Sequence, residues 1–152
     1  MTDVHLVFMT DQFNCSQPQP HYINDCCYGD DLADWLAEKL RSRGYRVEKP
    51  GQEDWGWYLY AWSAAAAYFV AIGVTPGDEN CPSFAGAVKA TNRSRHRNLG
   101  EWRIIVQKRR TLWQKLMGMN RIASNDDFVQ AIRQILASEL GVQIGASDRA
   151  LP

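Results

Sequence analysis

Residues 53–63 read EDWGWYLYAWS, an acidic and aromatic turn that leads into an alternating, strand-like run. Successive side chains of a β-strand point to opposite faces of the sheet. Tyr58, Tyr60 and Trp62 are therefore predicted to share one face of a strand over residues 56–63, with residues 57, 59 and 61 on the other. Both faces carry large side chains, which predicts a strand that is covered or used on both sides.

Further strand-like runs lie on either side of this strand. Residues 68–74 follow a turn near Ser63 and predict an antiparallel hairpin with residues 56–63. Residues 3–9 and 102–107 alternate in the same way. A short strand is also predicted at residues 45–48, ending before the Pro50-Gly51 turn. Together these runs predict a mostly antiparallel sheet of about five strands.

Helices are expected to cover this sheet. Residues 30–43 carry aspartates in the first turn and basic residues in the last, with Gly44 just beyond, which matches the helix dipole and a left-handed cap. A last helix is predicted from Ser124 or Asn125 to Gly141, with Asp127 placed to mimic a capping box. The order of elements predicts an α+β fold, a two-layer sandwich with its helices on one face of the sheet.

Length and charge set broad limits on function. The 152 residues suit a single domain, 1–152, with irregular loops at 11–28 and 75–100 and a loose tail at 142–152. Seventeen basic residues balance seventeen acidic ones, so no whole-chain field draws the protein to nucleic acid or anionic lipid. Neither a secretory signal pattern nor a membrane span of about 20 apolar residues is found, and a bacterial-type cytoplasmic location is expected.

The cysteines and histidines give weak signals for metal or catalytic chemistry. Cys15, His21, Cys26 and Cys27 lie in one predicted loop, but adjacent cysteines do not have the spacing of a zinc site. All four cysteines, including Cys81, are expected to be reduced thiols. Because the common enzyme motifs are missing, no catalytic residue, metal or cofactor is predicted.

The densest chemistry lies in the turn at residues 53–57. Glu53 and Asp54 stand beside Trp55 and Trp57, so these four residues are the candidate ligand- or partner-binding site. A structural interpretation of this turn is favoured over a functional one. The indoles would then pack, Gly56 would allow a bulge or a close approach, and the acids would form a solvated turn that sets the start of the strand.

Two basic clusters and one apolar stripe complete the candidates. The first cluster consists of Arg93, Arg95, His96 and Arg97. The second cluster is Lys-Arg-Arg at residues 108–110. Either cluster could contact phosphate or an acidic partner, although such clusters are usually solvated loops. The apolar stripe at residues 112–117 could touch a membrane surface, but it is so short that contact with the core is expected instead.

Two stretches of the chain resemble a known group of proteins. The first runs from DDLADWL at residues 30–36, through Gly44-Tyr45, to EDWGW at residues 53–57; the second runs from Trp102-Arg103 to KRRTLW at residues 108–113. Their combination resembles a group of small bacterial proteins, generally described as hypothetical, over residues 28–140. The resemblance implies a bacterial origin and a single domain, and it implies no activity. Loop 75–100 and the cysteine-containing loop depart from the shorter pattern.

Three functional hypotheses follow. The leading one is a small cytoplasmic, non-enzymatic protein, immunity-like or regulatory, that binds another protein or a small ligand through the turn at residues 53–57. The alternative is a hydrolase or metal-assisted enzyme that uses Glu53 and Asp54 with His21 or a cysteine. The third is nucleic-acid binding through the basic loops, which the net charge of zero disfavours.

Overall fold

A computed structural model of the protein describes residues 3–75 and 99–146. The strands are β1 (Val4–Thr10), β2 (Arg46–Val47), β3 (Gly51–Glu53), β4 (Gly56–Trp62), β5 (Ala67–Thr75), β6 (Gly100–Lys108) and β7 (Gly145–Ala146). The helices are α1 (Asp30–Ser42), α2 (Leu112–Leu116) and α3 (Asp127–Ile135), and one π-helical turn (Leu136–Leu140) continues α3. Within these residues the strands form one sheet in the order β2-β4-β5-β6-β1-β7, with β3 also pairing with β4.

The predicted α+β fold with a mostly antiparallel sheet is confirmed. β4 and β5 form the expected hairpin around Ser63, and β6 pairs antiparallel with both β5 and β1. β2 and β3 lie along β4, opposite its end and its start respectively. The alternation of residues 56–63 predicted the strand itself, because a strand buried on one face must place every second side chain there; the order of the strands in the sheet was not predicted.

One face of the sheet is buried beneath helices. Ile104 lies opposite Ile72 on β5 and opposite Leu6 on β1, and all three side chains are fully buried. The helices add Leu32, Leu36 and Leu40 from α1 and Phe128 and Ile132 from α3 to the same core. Within each helix these residues are spaced four apart, which places them on one stripe of the helix. The molecule therefore has two layers, with the helical layer on a single face.

Asp126 ties α3 to the sheet. It is the N-cap of the helix, where its carboxylate accepts a hydrogen bond from the Phe128 backbone N–H at 2.9 Å. The same carboxylate accepts the Tyr68 hydroxyl at 3.0 Å and lies 3.3 Å from Lys108 Nζ. The predicted cap at Ser124 or Asn125 is therefore wrong by one or two residues. An aspartate satisfies the helix terminus and two sheet residues at once, which sequence spacing does not reveal.

Part of the expected loose tail is ordered. Gly145 and Ala146 form β7, which pairs antiparallel with Val7 and Leu6 of β1. Without a partner, that edge of β1 would present free backbone N–H and C=O groups, which the short strand satisfies. Residues 147–152, and residues 76–98 of the second predicted loop, lie outside the described residues.

The short helix α2 differs most from its prediction. None of its residues is buried, so the expectation that its apolar stripe contacts the core is wrong. Local bonds hold the helix instead, because Thr111 and Gln114 form a capping box and Arg110 reaches the Met119 carbonyl at 3.4 Å. No helix within the described ranges is long and apolar enough to cross a bilayer.

Candidate functional site

The acidic turn at residues 53–57 joins β3 to β4, and contacts at Gly56 and Trp57 fix its position. Gly56 has a φ of 151°, and a Cβ placed on it would lie 2.5 Å from the Ile72 carbonyl oxygen of β5. Trp57 is buried, and its indole N–H donates to the Cys27 carbonyl at 2.8 Å. These contacts fix where β4 begins and which way its side chains point.

The loop at residues 11–28 docks on this turn through backbone atoms. The Gln52 side chain accepts the Ile23 backbone N–H at 2.6 Å and donates to the His21 carbonyl at 3.0 Å. The Asn24 side-chain amide donates to the Asp54 carbonyl at 2.8 Å, and the Cys27 thiol donates to the Glu53 carbonyl at 3.1 Å. The turn therefore uses its carbonyl groups to anchor the loop.

The four sequence-predicted site residues are divided between surface and core. Glu53 and Asp54 are exposed, and their carboxylates accept no hydrogen bond from any described residue. Trp55 is 52% exposed, whereas Trp57 is 9% exposed and packs in the core. The turn thus presents two carboxylates and one indole at the surface, and Trp57 packs beneath them in the core.

The groups needed for the hydrolase hypothesis have other partners. His21 Nε2 lies 2.9 Å from an oxygen of Asp30, and the Tyr22 hydroxyl donates to the other oxygen of that carboxylate at 2.7 Å. The structure thus pairs His21 with Asp30 and not with the carboxylate of Glu53 or Asp54. The described residues contain no group of three or more His, Cys, Asp or Glu side chains that could hold a metal ion.

The three cysteines among the described residues comprise one disulfide-bonded cysteine and two buried thiols. Cys26 is disulfide-bonded, so the expectation of reduced thiols is wrong for this residue; spacing along the chain does not tell which sulfur atoms meet in space. Cys15 and Cys27 are free and buried. Burial, with the nearby Asp31 carboxylate, raises the pKa of Cys15 to about 11, and burial also raises the pKa of Cys27. Both therefore remain protonated at neutral pH and are weak nucleophiles.

Buried thiol and tyrosine groups with raised pKa values predict that the protein loses stability at alkaline pH. The folded state binds the Cys15 proton more tightly than the unfolded chain does, so this stabilisation is complete below pH 9 and is lost as pH rises towards 11. The pKa values of Tyr22 and Tyr68 are raised too, chiefly by burial and next by their bonds to Asp30 and Asp126.

We expect the free energy of unfolding to fall between pH 8 and pH 10.5, with Cys15 contributing about 1–2 kcal/mol of the loss after allowance for solvent screening. Urea titrations at both pH values would measure this change. The matched variant is Cys15→Ala, which keeps the tyrosines and should lose less stability over the same range. An identical loss in both proteins would show that this thiol is not responsible.

The face of the sheet opposite α1 and α3 carries an aromatic ridge. We give this name to Tyr58, Tyr60 and Trp62 of β4 together with Phe69 of β5, all half-buried. The Phe69 ring centroid lies 5.7 Å from that of Tyr58 and 5.4 Å from that of Tyr60. The Arg46 guanidinium sits 4.3 Å from the centroid of the Trp62 ring. Next to the ridge, a Cβ added to Gly73 would meet no atom of the described residues within 4 Å, so there is free space at this position.

A cavity of about 480 Å³ lies at one end of the ridge, and we call it the basic groove. Its lining residues are Tyr60, Phe69, Gln107, Lys108, Arg109, Arg110 and Lys115. The Arg109 guanidinium lies 5.3 Å from the Tyr60 ring centroid, within reach of a cation–π contact. The groove therefore combines aromatic faces with a cluster of cations.

The charges of the groove are only partly neutralised. Lys108 pairs with Asp126 at 3.3 Å, and both side chains are largely buried. No carboxylate of a described residue pairs with Arg109, Arg110 or Lys115. A chain with no net charge thus carries a local positive site, because like charges that share a concave surface reinforce one another.

The sequence identified only part of this groove. The cluster at residues 108–110 was a candidate, but Tyr60, Phe69 and Lys115 were not associated with it. The pairing of β4, β5 and β6 brings Tyr60 and Phe69 to the cluster, since Tyr60 lies opposite Phe69 and Phe69 lies opposite Gln107. Lys115 reaches the groove from α2. The other basic cluster, Arg93, Arg95, His96 and Arg97, and also Cys81, lie outside the described residues. Comparison of the chain with protein-family models, curated proteins and solved structures finds no match.

Proposed function

We propose that the protein is a non-enzymatic binding domain whose basic groove takes an anionic, phosphate-bearing ligand. The observation that carries this proposal is the convergence of Arg109, Arg110 and Lys115, three cations without a carboxylate partner among the described residues, on one concave site. Such a site leaves positive charge for a ligand to neutralise.

The lining suits phosphate in its chemistry. An arginine guanidinium presents several N–H donors in a planar fork that matches two phosphate oxygens, and a lysine adds a mobile point charge. The groove contains both kinds of cation. Tyr60 and Phe69 contribute ring faces on which a flat group of the ligand can stack, as nucleic-acid bases stack on sheet-surface aromatics.

The acidic turn is a second proposed contact, for a basic protein partner. Trp55 is 52% exposed between Asp54 and the start of β4, and Ile23 on the neighbouring loop is 59% exposed. An exposed indole beside carboxylates has the composition of a protein-binding surface. The enzyme hypothesis has less support, because the described thiols are buried and His21 is paired with Asp30.

Charge reversal in the groove tests the proposal. Lys115→Glu is expected to weaken the binding of pyrophosphate and of ATP, measured by titration calorimetry at low salt, by about tenfold or more, because it replaces an attraction by a repulsion. The matched control is Lys49→Glu, which makes the same change of charge at an exposed lysine that does not line the groove.

The two variants separate a specific site from a general charge effect. Binding should also weaken as salt is raised, since the cations are near the surface. Equal weakening in both variants, or no binding of either probe by the unmodified protein, would contradict the proposal.

A further inference from the structure

The helix α2 and the residues just after it expose an unusual amount of apolar surface. Its exposed side chains are Leu112 (85%), Trp113 (64%), Leu116 (78%), Met117 (55%) and Met119 (54%). We call these five residues the apolar patch. Single exposed apolar residues are common on proteins, but a contiguous group marks a surface that meets an apolar partner.

The apolar patch belongs to an ordered element. The Thr111 hydroxyl accepts the Gln114 backbone N–H at 3.1 Å, and the Gln114 side chain accepts the Thr111 backbone N–H at 2.9 Å. Beyond the helix, the Met119 N–H donates to the Gln114 carbonyl at 2.8 Å. Since these bonds fix the backbone, they present the apolar side chains together on a formed turn.

The chain segment that carries the patch is basic. Residues 108–121 contain five basic residues and no acidic one, although the whole chain has no net charge. Lys115 belongs to the same helix as the patch and also lines the basic groove, and Arg110 lines the groove directly before the helix. An apolar group with cations around it is complementary to a surface that is apolar within and anionic outside.

We infer that the apolar patch docks on an anionic phospholipid bilayer, with its side chains among the acyl chains and the basic groove against headgroup phosphates. This inference rests on the proposed function of the groove, and it identifies the source of the phosphate. Interfacial helices bind in this way, through apolar side chains on one side and lysine or arginine on the other. Trp113 suits the interface because an indole is apolar with one polar N–H.

The patch favours lipid over nucleic acid as the source of phosphate. Single-stranded nucleic acid would use the cations and the aromatic rings, because bases stack on flat surfaces. It would leave the aliphatic side chains of Leu112, Leu116 and Met117 in water, whereas acyl chains bury them. The short length of α2, which argued against membrane contact in the sequence, is offset by Met119 beyond the helix and by the five nearby cations.

Vesicle cosedimentation tests the inference. The intact chain is expected to bind vesicles of phosphatidylcholine with phosphatidylserine at low salt. Its binding to pure phosphatidylcholine vesicles should be weaker by at least about tenfold, since neutral headgroups do not attract the cations. The double variant Leu112→Ser/Leu116→Ser is expected to lose about tenfold or more of its binding to anionic vesicles. Both leucine side chains are largely exposed, so the two substitutions should not destabilise the fold.

Two comparisons make the result specific. Met9→Ser removes another exposed apolar side chain, 51% exposed, which lies opposite Glu101 at the far end of β6 from α2, and should leave vesicle binding unchanged. The double variant should keep the affinity of the intact protein for pyrophosphate and ATP, because neither leucine lines the groove. That combination supports membrane docking through the patch.

Other outcomes overturn the inference in distinguishable ways. If the intact protein binds pyrophosphate but no vesicle, the membrane inference fails and the proposed groove stands. If it binds a single-stranded oligonucleotide tightly and vesicles weakly, nucleic acid is the source of the phosphate. Equal binding to neutral and anionic vesicles would exclude the role of the cations, and failure with every anionic probe would remove both proposals together.

Discussion

Replacing Gly56 by alanine is expected to lower the free energy of unfolding by about 3 kcal/mol or more, through combined backbone strain and steric overlap. The residue has a φ of 151°, a conformation that side-chain-bearing residues rarely adopt. Its missing Cβ would also lie 2.5 Å from the Ile72 carbonyl oxygen, which belongs to the backbone of β5 and does not move aside like a side chain. The variant must therefore shift the acidic turn, the start of β4, or both.

Chemical denaturation of Gly56→Ala beside Gly73→Ala checks this expectation. Gly73 lies in β5, close to the same turn. Its φ is not positive, and a Cβ added there meets no atom of the described residues within 4 Å. Gly73→Ala should therefore change stability by less than about 1 kcal/mol. Similar losses in the two variants would show that the close approach at Gly56 does not constrain the turn.

Trp102→Ala is expected to cost about 3–5 kcal/mol, the usual range for removing a large aromatic side chain from a core. Trp102 is fully buried in β6, where its ring centroid lies 6.0 Å from that of Phe13 in the loop at residues 11–28. A Cβ added to Gly29, at the start of α1, would lie 3.6 Å from the same indole. The side chain thus joins the sheet, the loop and the helical layer.

The matched control uses the same substitution on a surface tryptophan. Trp113 in α2 is 64% exposed, so Trp113→Ala should change the free energy of unfolding by no more than about 0.5 kcal/mol. Urea denaturation followed by far-ultraviolet circular dichroism measures both variants without relying on tryptophan fluorescence. A small loss for Trp102→Ala would mean that the core closes around the vacated space.

The acidic turn illustrates how a dense sequence feature can be chiefly structural. Its residue types predicted a binding site, and the structure shows that Gly56 and Trp57 hold the turn against β5 and the loop at residues 11–28. Glu53, Asp54 and Trp55 remain exposed and stay a proposed contact. Burial distinguishes the two roles, and burial depends on the neighbours that the fold brings to each residue.

Helix α2 illustrates the opposite case. Residues 112–117 have an apolar spacing that is the same for a helix in a core and for a helix at a surface. The sequence therefore predicted the helical turn and its apolar stripe, and it misplaced that stripe in the core. Nothing in the spacing records whether the rest of the fold reaches the helix, and none of its residues is buried.

The sequence by itself determined five of the strands, the helices and the face that each side chain of β4 takes. Those properties depend on spacing along the chain, on caps and on turns, which are local. Only the tertiary structure decided that Tyr60, Phe69 and Arg109 line one groove while α2 exposes its leucines. That outcome depends on the pairing of strands distant in the sequence and on which surfaces the core leaves uncovered, and both arise from contacts between distant residues.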